Sequence, residues 1–370
     1  MSTRPMRNIL CVRLDAFGDV LMTEPALRAI YRSMPECRLT LLTSPAGAKA
    51  AEMIPYLHQI LIYEAPWMKH SAEITDSARH LDFIRHLHAQ QFDAAVIFTV
   101  YSQNPLPPAM MCYLAGIPRR IAFCRENPYQ LLTDWLPEKE PQSLQRHEVE
   151  RQLALVAEIG ATVHEDAIQI AIPEAARRTG ESIWQSLAQQ GECRIIVHPS
   201  ATAPSRRYPA ERFIAAMKSI QARIPATFII TGDRSEQAIA AEIAATPGLS
   251  CMSLAGQIDA REWAALIDSA DLLLSNNTGA AHLAAATATP AVVLYALTNP
   301  QHTPWRTASQ VLSYDVPCKH CYKSLCPQGH HNCLLGISAE EVANAALALL
   351  AARFQHPSAS NIRFISHIAG

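Results

Sequence analysis

The chain has 370 residues, 49% of them hydrophobic, and a formal net charge of −2 at pH 7. This length supports two hydrophobic cores, since one domain usually takes about 100–200 residues, and the balanced charge argues against a nucleic-acid-binding protein. No stretch reaches the roughly 18 uninterrupted apolar residues of a membrane-spanning helix. The apolar run behind the basic start covers only residues 9–12, too few for a signal peptide. A cytoplasmic protein is therefore expected.

The first half of the sequence alternates strand and helix patterns. Buried strands are predicted at residues 8–14, 38–42 and 94–98. Apolar residues at helical spacing follow a turn at residues 16–19, and another helix is predicted over residues 81–88. Such alternation predicts an α/β fold, with a parallel sheet covered by helices on both faces.

A second alternation begins at Arg194, so two α/β domains are predicted, joined near residues 160–190. Before it come a proline-rich surface loop at residues 136–141 and a helix at 147–159. The later strands are predicted at residues 195–197, 227–231, 272–274 and 292–295. Ser338-Ala339-Glu340-Glu341 has a capping-box pattern and begins the final helix.

The segment that follows residues 272–274 is typical of an anion site. The apolar run leads into Ser275-Asn276-Asn277-Thr278-Gly279, and an alanine-rich helix follows. The first turn of a helix has unpaired N–H groups and a partial positive charge of about half a unit, which together attract phosphate. A diphosphate would bind there, within reach of Thr278 and His282.

A second motif, Gly18-Asp19-Val20-Leu21-Met22-Thr23-Glu24-Pro25, ends the first strand. A carboxylate such as Asp19 is a natural base for an alcohol that attacks an anomeric carbon. The alternative is a helix N-cap, where Asp is favoured on its own account. A helix N-terminus also stabilises a carboxylate and so weakens it as a base, which an apolar neighbour such as Phe17 would offset.

Together these segments resemble the bacterial heptosyltransferases of glycosyltransferase family 9. The family's donor motif is usually Asp-Thr-Gly-x-x-His-Leu-Ala-Ala, and its first strand ends in a pattern close to Gly-Asp-x-Leu-x-Thr-x-Pro. Thr289-Pro290 and Leu297-Thr298-Asn299-Pro300 extend the match. One position departs from the family, because Asn277 stands where Asp is usual.

The resemblance implies a GT-B fold, in which two Rossmann-like domains face each other across a cleft. Residues 1–170 would bind the acceptor, residues 171–337 would bind the nucleotide sugar, and the final helix, residues 338–356, would pack back on the N-terminal domain. The implied reaction moves a heptose from ADP-heptose to a lipopolysaccharide core acceptor with inversion. It needs no catalytic cofactor, and any contact with the inner membrane would be peripheral.

The same resemblance assigns roles to residues. Asp19 would take the proton of the acceptor hydroxyl, and Arg206 would hold the leaving diphosphate. The other donor-binding residues would be Gly18, Thr202, Glu236, Asn277, Thr278, Gly279, Ala280 and His282. In this set Thr202 contacts phosphate, Glu236 accepts hydrogen bonds from ribose, and Asn277 faces the donor sugar.

The residues alone leave other interpretations open. Arg206 and Arg207 would serve equally as solvated surface charges, the usual fate of arginine. Glu236 would serve as a first-turn acid that complements the helix dipole. His282 would serve as a buried histidine bonded to the backbone.

Four of the ten cysteines are clustered: Cys318, Cys321, Cys326 and Cys333. Four thiolates at this density predict one structural zinc or iron site, or an iron–sulfur centre, apart from the catalytic residues. Two disulfides are the competitor, disfavoured in a reducing compartment. Four ordinary reduced thiols are the remaining alternative.

Two other functions fit the same sequence. Asn277 invites a non-catalytic nucleotide-sugar-binding protein of the same fold, and the acceptor would equally be a protein such as a surface adhesin. A Rossmann dehydrogenase is disfavoured, because no Gly-x-Gly-x-x-Gly follows the first strand.

Overall fold

The computed structural model describes residues 6–68, 76–297 and 299–355, and the chain divides into two compact units, Met1–Gln169 and Ile170–Gly370. Each unit contains one six-stranded sheet in which neighbouring strands run parallel. The α/β class predicted from the sequence is therefore confirmed. Thr298 of the extended match and residue 356 of the predicted final helix lie outside the described residues.

The first unit has its strands in the order β3-β2-β1-β4-β5-β6. The strands are β1 (Asn8–Arg13), β2 (Arg38–Thr43), β3 (Gln59–Ile62), β4 (Ala94–Ile97), β5 (Arg119–Cys124) and β6 (Asp134–Pro137). The helices are α1 (Phe17–Ser33), α2 (Pro45–Ala51), α3 (Ala78–Ala89), α4 (Leu106–Leu114) and α5 (Glu148–Ala157).

The second unit has the order β12-β11-β10-β7-β8-β9. Its strands are β7 (Cys193–His198), β8 (Ala226–Ile230), β9 (Cys251–Ser253), β10 (Leu272–Asn276), β11 (Ala291–Leu294) and β12 (Ser309–Leu312). Its helices are α6 (Glu174–Leu187), α7 (Ala210–Gln221), α8 (Gln237–Ala244), α9 (Ala260–Asp268), α10 (Gly279–Ala286), α11 (Asn332–Leu335) and α12 (Ala339–Gln355).

The two sheets have the same topology. Counted from its own first strand, each unit reads 3-2-1-4-5-6, the Rossmann order. The central strands β1 and β10 are buried over nearly their whole length, as expected where helices cover both faces of a parallel sheet. This is why the continuous apolar runs in the sequence predicted seven of the twelve described strands. The four edge strands, β3, β6, β9 and β12, and the strand β5 were not predicted. Within the described residues, no helix has the length and apolar character needed to cross a membrane.

The proline-rich segment at residues 136–141 differs in part from the prediction of a loop. Its first residues belong to β6, which lies at the edge of the sheet beside β5. An edge strand tolerates Pro137, because the outer side of such a strand has no ladder partner for an N–H group to reach.

Helix α6 was not predicted, although its buried positions recur at helical spacing, because the sequence interpretation took residues 160–190 as the connection between the two domains. The buried positions are Ala176, Gly180 and Trp184, spaced four residues apart. A Cβ on Gly180 would lie 3.2 Å from the backbone carbonyl carbon of Ala265, so the glycine lets α6 approach α9 closely. The indole of Trp184 is fully buried there and donates to the Leu266 carbonyl at 3.3 Å.

The final helix begins as its sequence predicts, but its packing requires a correction. The Ser338 N–H donates to the Glu341 carboxylate at 2.7 Å and the Glu341 N–H donates back to the Ser338 hydroxyl at 3.2 Å, so the capping box is confirmed. The sequence interpretation placed this helix on the N-terminal domain. Instead, its buried residues Val342, Ala346 and Leu350 join the core of the second unit, beside α7 and the central strands.

Candidate functional site

The strand order marks one position in each unit where a ligand is expected. In an open α/β sheet, ligands bind at the carboxyl ends of the strands where the order reverses. That position lies between β1 and β4 in the first unit and between β7 and β10 in the second. Most of the predicted donor and catalytic residues lie in the segments that leave β1, β7 and β10, and Glu236 lies in the segment that leaves β8.

In the first unit, the side chain of Arg13 organises the carboxyl end of β1. It is fully buried and its guanidinium faces three carboxylates. Its Nε lies 2.9 Å from Asp15 Oδ2, its Nη2 lies 3.1 Å from Asp19 Oδ1, and its Nη1 lies 2.8 Å from Glu148 Oε1. We call these four residues the Arg13 cluster. Glu148 is the first residue of α5, so this helix and β1 meet through an ion pair.

Asp19 occupies the third position of α1, not its N-cap. The N-cap residue is Ala16, whose N–H donates to Asp19 Oδ2 at 3.2 Å, as in half of a capping box. The other carboxylate oxygen is fixed by Arg13. The side chain keeps 19% of its surface exposed, so it is held in place while remaining open to a ligand. Gly18 is buried beside it in the first turn.

Asp15 has a different environment from Asp19, although both face Arg13. Burial raises the pKa of Asp15 to about 6, and the Asp19 and Glu148 charges act in the same direction. The guanidinium of Arg13 and a hydrogen bond from the Gln103 side chain oppose this rise. A carboxyl that ionises near neutral pH beside a candidate base is typical of functional sites.

In the second unit, the loop after β7 places two arginines differently. Arg207 folds back on its own loop, where its Nε donates to the Ala201 carbonyl at 2.6 Å. Arg206 is half-buried and ends a short 3-10 turn, Pro204–Arg206. Thr202 is exposed in the same loop. The residue before Arg206, Ser205, donates from its N–H to the Ser324 carbonyl at 3.0 Å.

Asn276, the last residue of β10, ties this loop to the sheet. Its side chain is fully buried and donates to the Pro199 carbonyl at 2.5 Å. Its Oδ1 accepts from the Tyr208 N–H at 3.1 Å. Both ends of the arginine loop are therefore fixed to one side chain, which makes Asn276 a positioning residue that the sequence interpretation missed.

Tyr295, which follows β11, interacts with Asn277 and lies within reach of the charge of Arg206. The Tyr295 hydroxyl donates to the Asn299 carbonyl and also hydrogen-bonds to the Asn277 side chain. Burial raises the pKa of Tyr295 to about 12, although the nearby charge of Arg206 and the bond to Asn277 act to lower it. Two residues predicted from separate motifs thus act on the same buried hydroxyl, Asn277 through a hydrogen bond and Arg206 through its charge.

The predicted anion site lies at the start of α10. Thr278 is its N-cap and accepts the Ala280 N–H at 3.3 Å, so the hydroxyl satisfies one of the helix's first N–H groups. Gly279 is the first helical residue and His282 lies one turn later, buried to 4% exposure. The arrangement leaves a helix N-terminus at the switch point, as the sequence predicted.

Glu236 joins the loops after β7 and β8. Its carboxylate accepts the Asp233 N–H at 2.7 Å and a hydrogen bond from the Ser200 side chain. Burial raises the pKa of Glu236, while the Asp233 bond lowers it. A Cβ on Gly232 would lie 2.9 Å from Glu236 Oε2, so the glycine makes room for the carboxylate. The first-turn interpretation and the ligand interpretation remain compatible with this position.

The four clustered cysteines line one small cavity of about 20 Å³, together with His330 and His331. The sulfur of Cys318 lies 3.7 Å from His330 Nε2. Burial acts to raise the pKa of Cys326, but hydrogen bonds from the N–H groups of residues 328–331 lower it on balance. All ten cysteines are free thiols. In the part of the chain that the structure describes, no three His, Cys, Asp or Glu side chains form a ready metal site.

Known proteins resemble this chain over most of its length. The model of glycosyltransferase family 9 (heptosyltransferase) matches residues 80–332. Lipooligosaccharide heptosyltransferase 2 of Haemophilus ducreyi is 24% identical over 365 residues, which cover 93% of this chain and 99% of that protein.

Two solved structures share the fold over almost their whole length. A family 9 glycosyltransferase of Veillonella parvula superposes with a TM-score of 0.79 at 19% identity, covering 95% of this chain and 99% of that one. The ADP-heptose lipopolysaccharide heptosyltransferase II of Escherichia coli gives a TM-score of 0.74 at 21% identity, covering 94% and 99%. The GT-B fold class expected from the sequence is thereby confirmed.

Proposed function

The chain belongs to glycosyltransferase family 9, the heptosyltransferase family, and on this premise we propose that it transfers a heptose from ADP-heptose to a lipopolysaccharide core acceptor. The observation that carries the proposal is the chemistry at the two switch points. The first unit offers a fixed carboxylate, Asp19, and the second offers Arg206 in the loop after β7 and a helix N-terminus after the neighbouring strand β10. A base and an anion site are what displacement of a nucleoside diphosphate by an alcohol requires.

The proposed reaction is one displacement with inversion. Asp19 takes the proton of the acceptor hydroxyl while that oxygen forms a bond to the anomeric carbon. The bond from the anomeric carbon to the diphosphate breaks on the opposite side, and ADP leaves with its electron pair. Arg206 and the first turn of α10 stabilise the charge that develops on ADP, and in many enzymes such stabilisation accounts for most of the rate enhancement.

We assign the other predicted residues to the donor. Thr202, Thr278, Gly279 and Ala280 lie in the two loops that would contact phosphate. Glu236 would accept hydrogen bonds from ribose, as an acid after a strand does in dinucleotide-binding folds. Asn277 would face the sugar, where an amide offers two donors and one acceptor but no charge. Gly18 and His282 would complete the site by their position beside Asp19 and the anion site.

The unit roles follow from this assignment. Residues 1–170 would bind the acceptor and residues 171–337 the nucleotide sugar. A lipid-linked acceptor requires contact with the inner membrane, which in this scheme is peripheral and occurs on the cytoplasmic side. A protein acceptor is the alternative substrate for the same residues.

We also propose that the cysteine cluster holds one structural zinc or iron ion. Four thiols around a cavity of about 20 Å³ provide the soft ligands that these metals prefer. The N–H groups that surround the Cys326 sulfur favour its thiolate form, which is the form that binds metal. The ion would fix the loop before α11 and would not contact the sugar.

The test of the main proposal is a panel of nucleotide sugars in a thermal-shift assay, followed by transfer to acceptors. Stabilisation depends on ligand concentration over Kd, so the preferred donor gives the largest shift at equal concentration. We expect ADP-heptose to shift the transition most, and to yield ADP when a core acceptor lacking that heptose is added. If a nucleotide sugar binds but is not transferred to a lipid-linked or a protein acceptor, the result would instead support a non-catalytic nucleotide-sugar-binding protein.

A further inference from the structure

The Arg13 cluster contains three carboxylates, although the proposed reaction needs only one of them as its base. A single guanidinium faces Asp15, Asp19 and Glu148 at distances of 2.8 to 3.1 Å. The Arg13 and Glu148 side chains are fully buried, and that of Asp15 is 10% exposed. The proposed mechanism uses only Asp19 and gives no role to the carboxylates of Asp15 and Glu148.

The environment of Asp19 lowers its strength as a base, because it lies beside a cation and in the first turn of a helix. Arg13 favours the ionised form of Asp19, and so does the first turn of α1. A second ionised carboxylate on the same guanidinium acts in the opposite direction, because like charges favour uptake of a proton. Asp15 is placed to do this, since it shares the guanidinium with Asp19 through a different nitrogen atom.

We propose that Asp15 is a positioning residue that sets the basicity of Asp19 through the shared guanidinium of Arg13. The inference rests on the proposed role of Asp19 as the base. When Asp15 is ionised, its negative charge partly neutralises the positive charge of Arg13. Arg13 then stabilises the ionised form of Asp19 less, so Asp19 is a stronger acceptor for the hydroxyl proton. When Asp15 is protonated, the full charge of Arg13 is available to Asp19, and proton transfer slows.

The groups that face Asp15 come from one strand, two helices and one loop. Arg13 lies on β1, Asp19 on α1 and Glu148 on α5, and Gln103 reaches it from the segment before α4. The balance of these groups leaves the pKa of Asp15 near 6, mainly because it is buried. Since Asp15 is ionised above this pH, the chemical step should accelerate as pH rises through about 6.

The experiment is a pH profile of the single-turnover rate with saturating donor and acceptor. Wild-type protein should show a rise centred near pH 6. Asp15→Asn should lose that rise and should be about three- to tenfold slower at pH 8, because the full charge of Arg13 then weakens Asp19 as a base at every pH. Asp15→Glu should restore the rise, while Kd for ADP should stay unchanged in both variants.

A second variant tests the same inference without removing the carboxyl. The Gln103 side chain donates to Asp15 and favours its ionised form. Gln103→Leu should therefore move the rise to higher pH. The matched control is Asp134→Asn, which breaks an ion pair with Arg119 at 2.7 Å in the same unit and should leave the profile unchanged.

The outcomes separate this inference from the proposed function. If Asp19→Asn keeps near-wild-type turnover, the role of Asp19 as base is wrong. If Asp19→Asn is inactive but Asp15→Asn keeps the wild-type rise and rate, the base stands and the role of Asp15 is overturned. An unshifted profile in Gln103→Leu would also overturn it.

Discussion

The two units have the same strand order but place opposite chemistry at the point where that order reverses. In the first unit, three carboxylates surround one buried guanidinium. In the second, the side chains are two amides, a hydroxyl and an arginine at a helix N-terminus. The topology therefore fixes where a ligand binds, while the residues that leave the central strands decide whether the position accepts protons or binds anions.

The two units also differ in the groups that hold their site residues in place. Asp19 is held by a salt bridge and a backbone N–H, and its neighbours are charged. The arginine loop is held by the neutral amide of Asn276. A neutral support close to Arg206 suits an anion site, because a carboxylate in the same place would compete with phosphate for the arginine. The Glu236 carboxylate also reaches this loop, but its partner there is the Ser200 side chain.

The largest expected effect is on Asp19. Asp19→Asn should lower transfer by about 10²- to 10⁴-fold, the usual contribution of a general base, because the amide cannot accept the hydroxyl proton. ADP affinity, measured by calorimetry, should stay within about twofold, since this residue lies in the other unit from the proposed anion site. A residue that is only a helix cap would cost about 0.5–2 kcal/mol of stability and leave turnover nearly intact, which would remove the base from the first unit.

The next effect concerns Arg206. Arg206→Ala should weaken ADP binding at least about tenfold, because a hydrogen bond to a charged group is worth about 1.5–3 kcal/mol. The matched control is Arg207→Ala, whose guanidinium already donates to the Ala201 carbonyl and should matter less for ADP. Calorimetry of both variants decides the assignment. Equal affinity in wild type and Arg206→Ala, with a loss in Arg207→Ala, would transfer the role to the neighbour.

A smaller and more selective effect is expected at Asn277. Asn277→Asp should change the rate with ADP-heptose or the preference among donor sugars, while ADP itself binds within about twofold. The side chain is 3% exposed and fixed by Tyr295, so a new charge there acts locally. Tyr295→Phe is the control for the loss of that bond alone. An equal loss of free ADP binding in Asn277→Asp would show that the residue contacts the nucleotide and not the sugar.

The sequence predicted the strands and motifs at both switch points for a physical reason. Buried parallel strands are continuous apolar runs, and the residues that follow them are polar and close in sequence. It could not predict that Arg13 pairs with Glu148, because these residues are 135 positions apart and meet only when α5 packs beside β1. The contact between Asn277 and Tyr295 was missed for the same reason.

Two helices of the second unit were the other failure, each for its own reason. Helix α6 is buried through Ala176, Gly180 and Trp184, but its segment was interpreted as the connection between the domains, so its pattern was not used. The final helix was predicted with its cap, because Ser338 and Glu341 are local signals. Its partner was wrong, because a nearly uniform run of alanine and leucine does not indicate which surface it covers.

The smallest effect on chemistry is expected from the cysteine cluster, since it belongs to the second unit's scaffold and not to either switch point. Protein purified without chelator should contain about one equivalent of zinc or iron, and Cys318→Ser with Cys321→Ser should lose it. The matched control is Cys251→Ser, a half-buried thiol outside the cluster. Loss of the metal should lower thermal stability. It should weaken ADP binding only modestly, because the cysteine segment contacts the arginine loop through a hydrogen bond from the Ser205 hydroxyl to the Lys323 carbonyl, at 2.7 Å, beside Arg206. Less than about a tenth of an equivalent of any transition metal, with all four thiols reactive, would leave ordinary reduced cysteines.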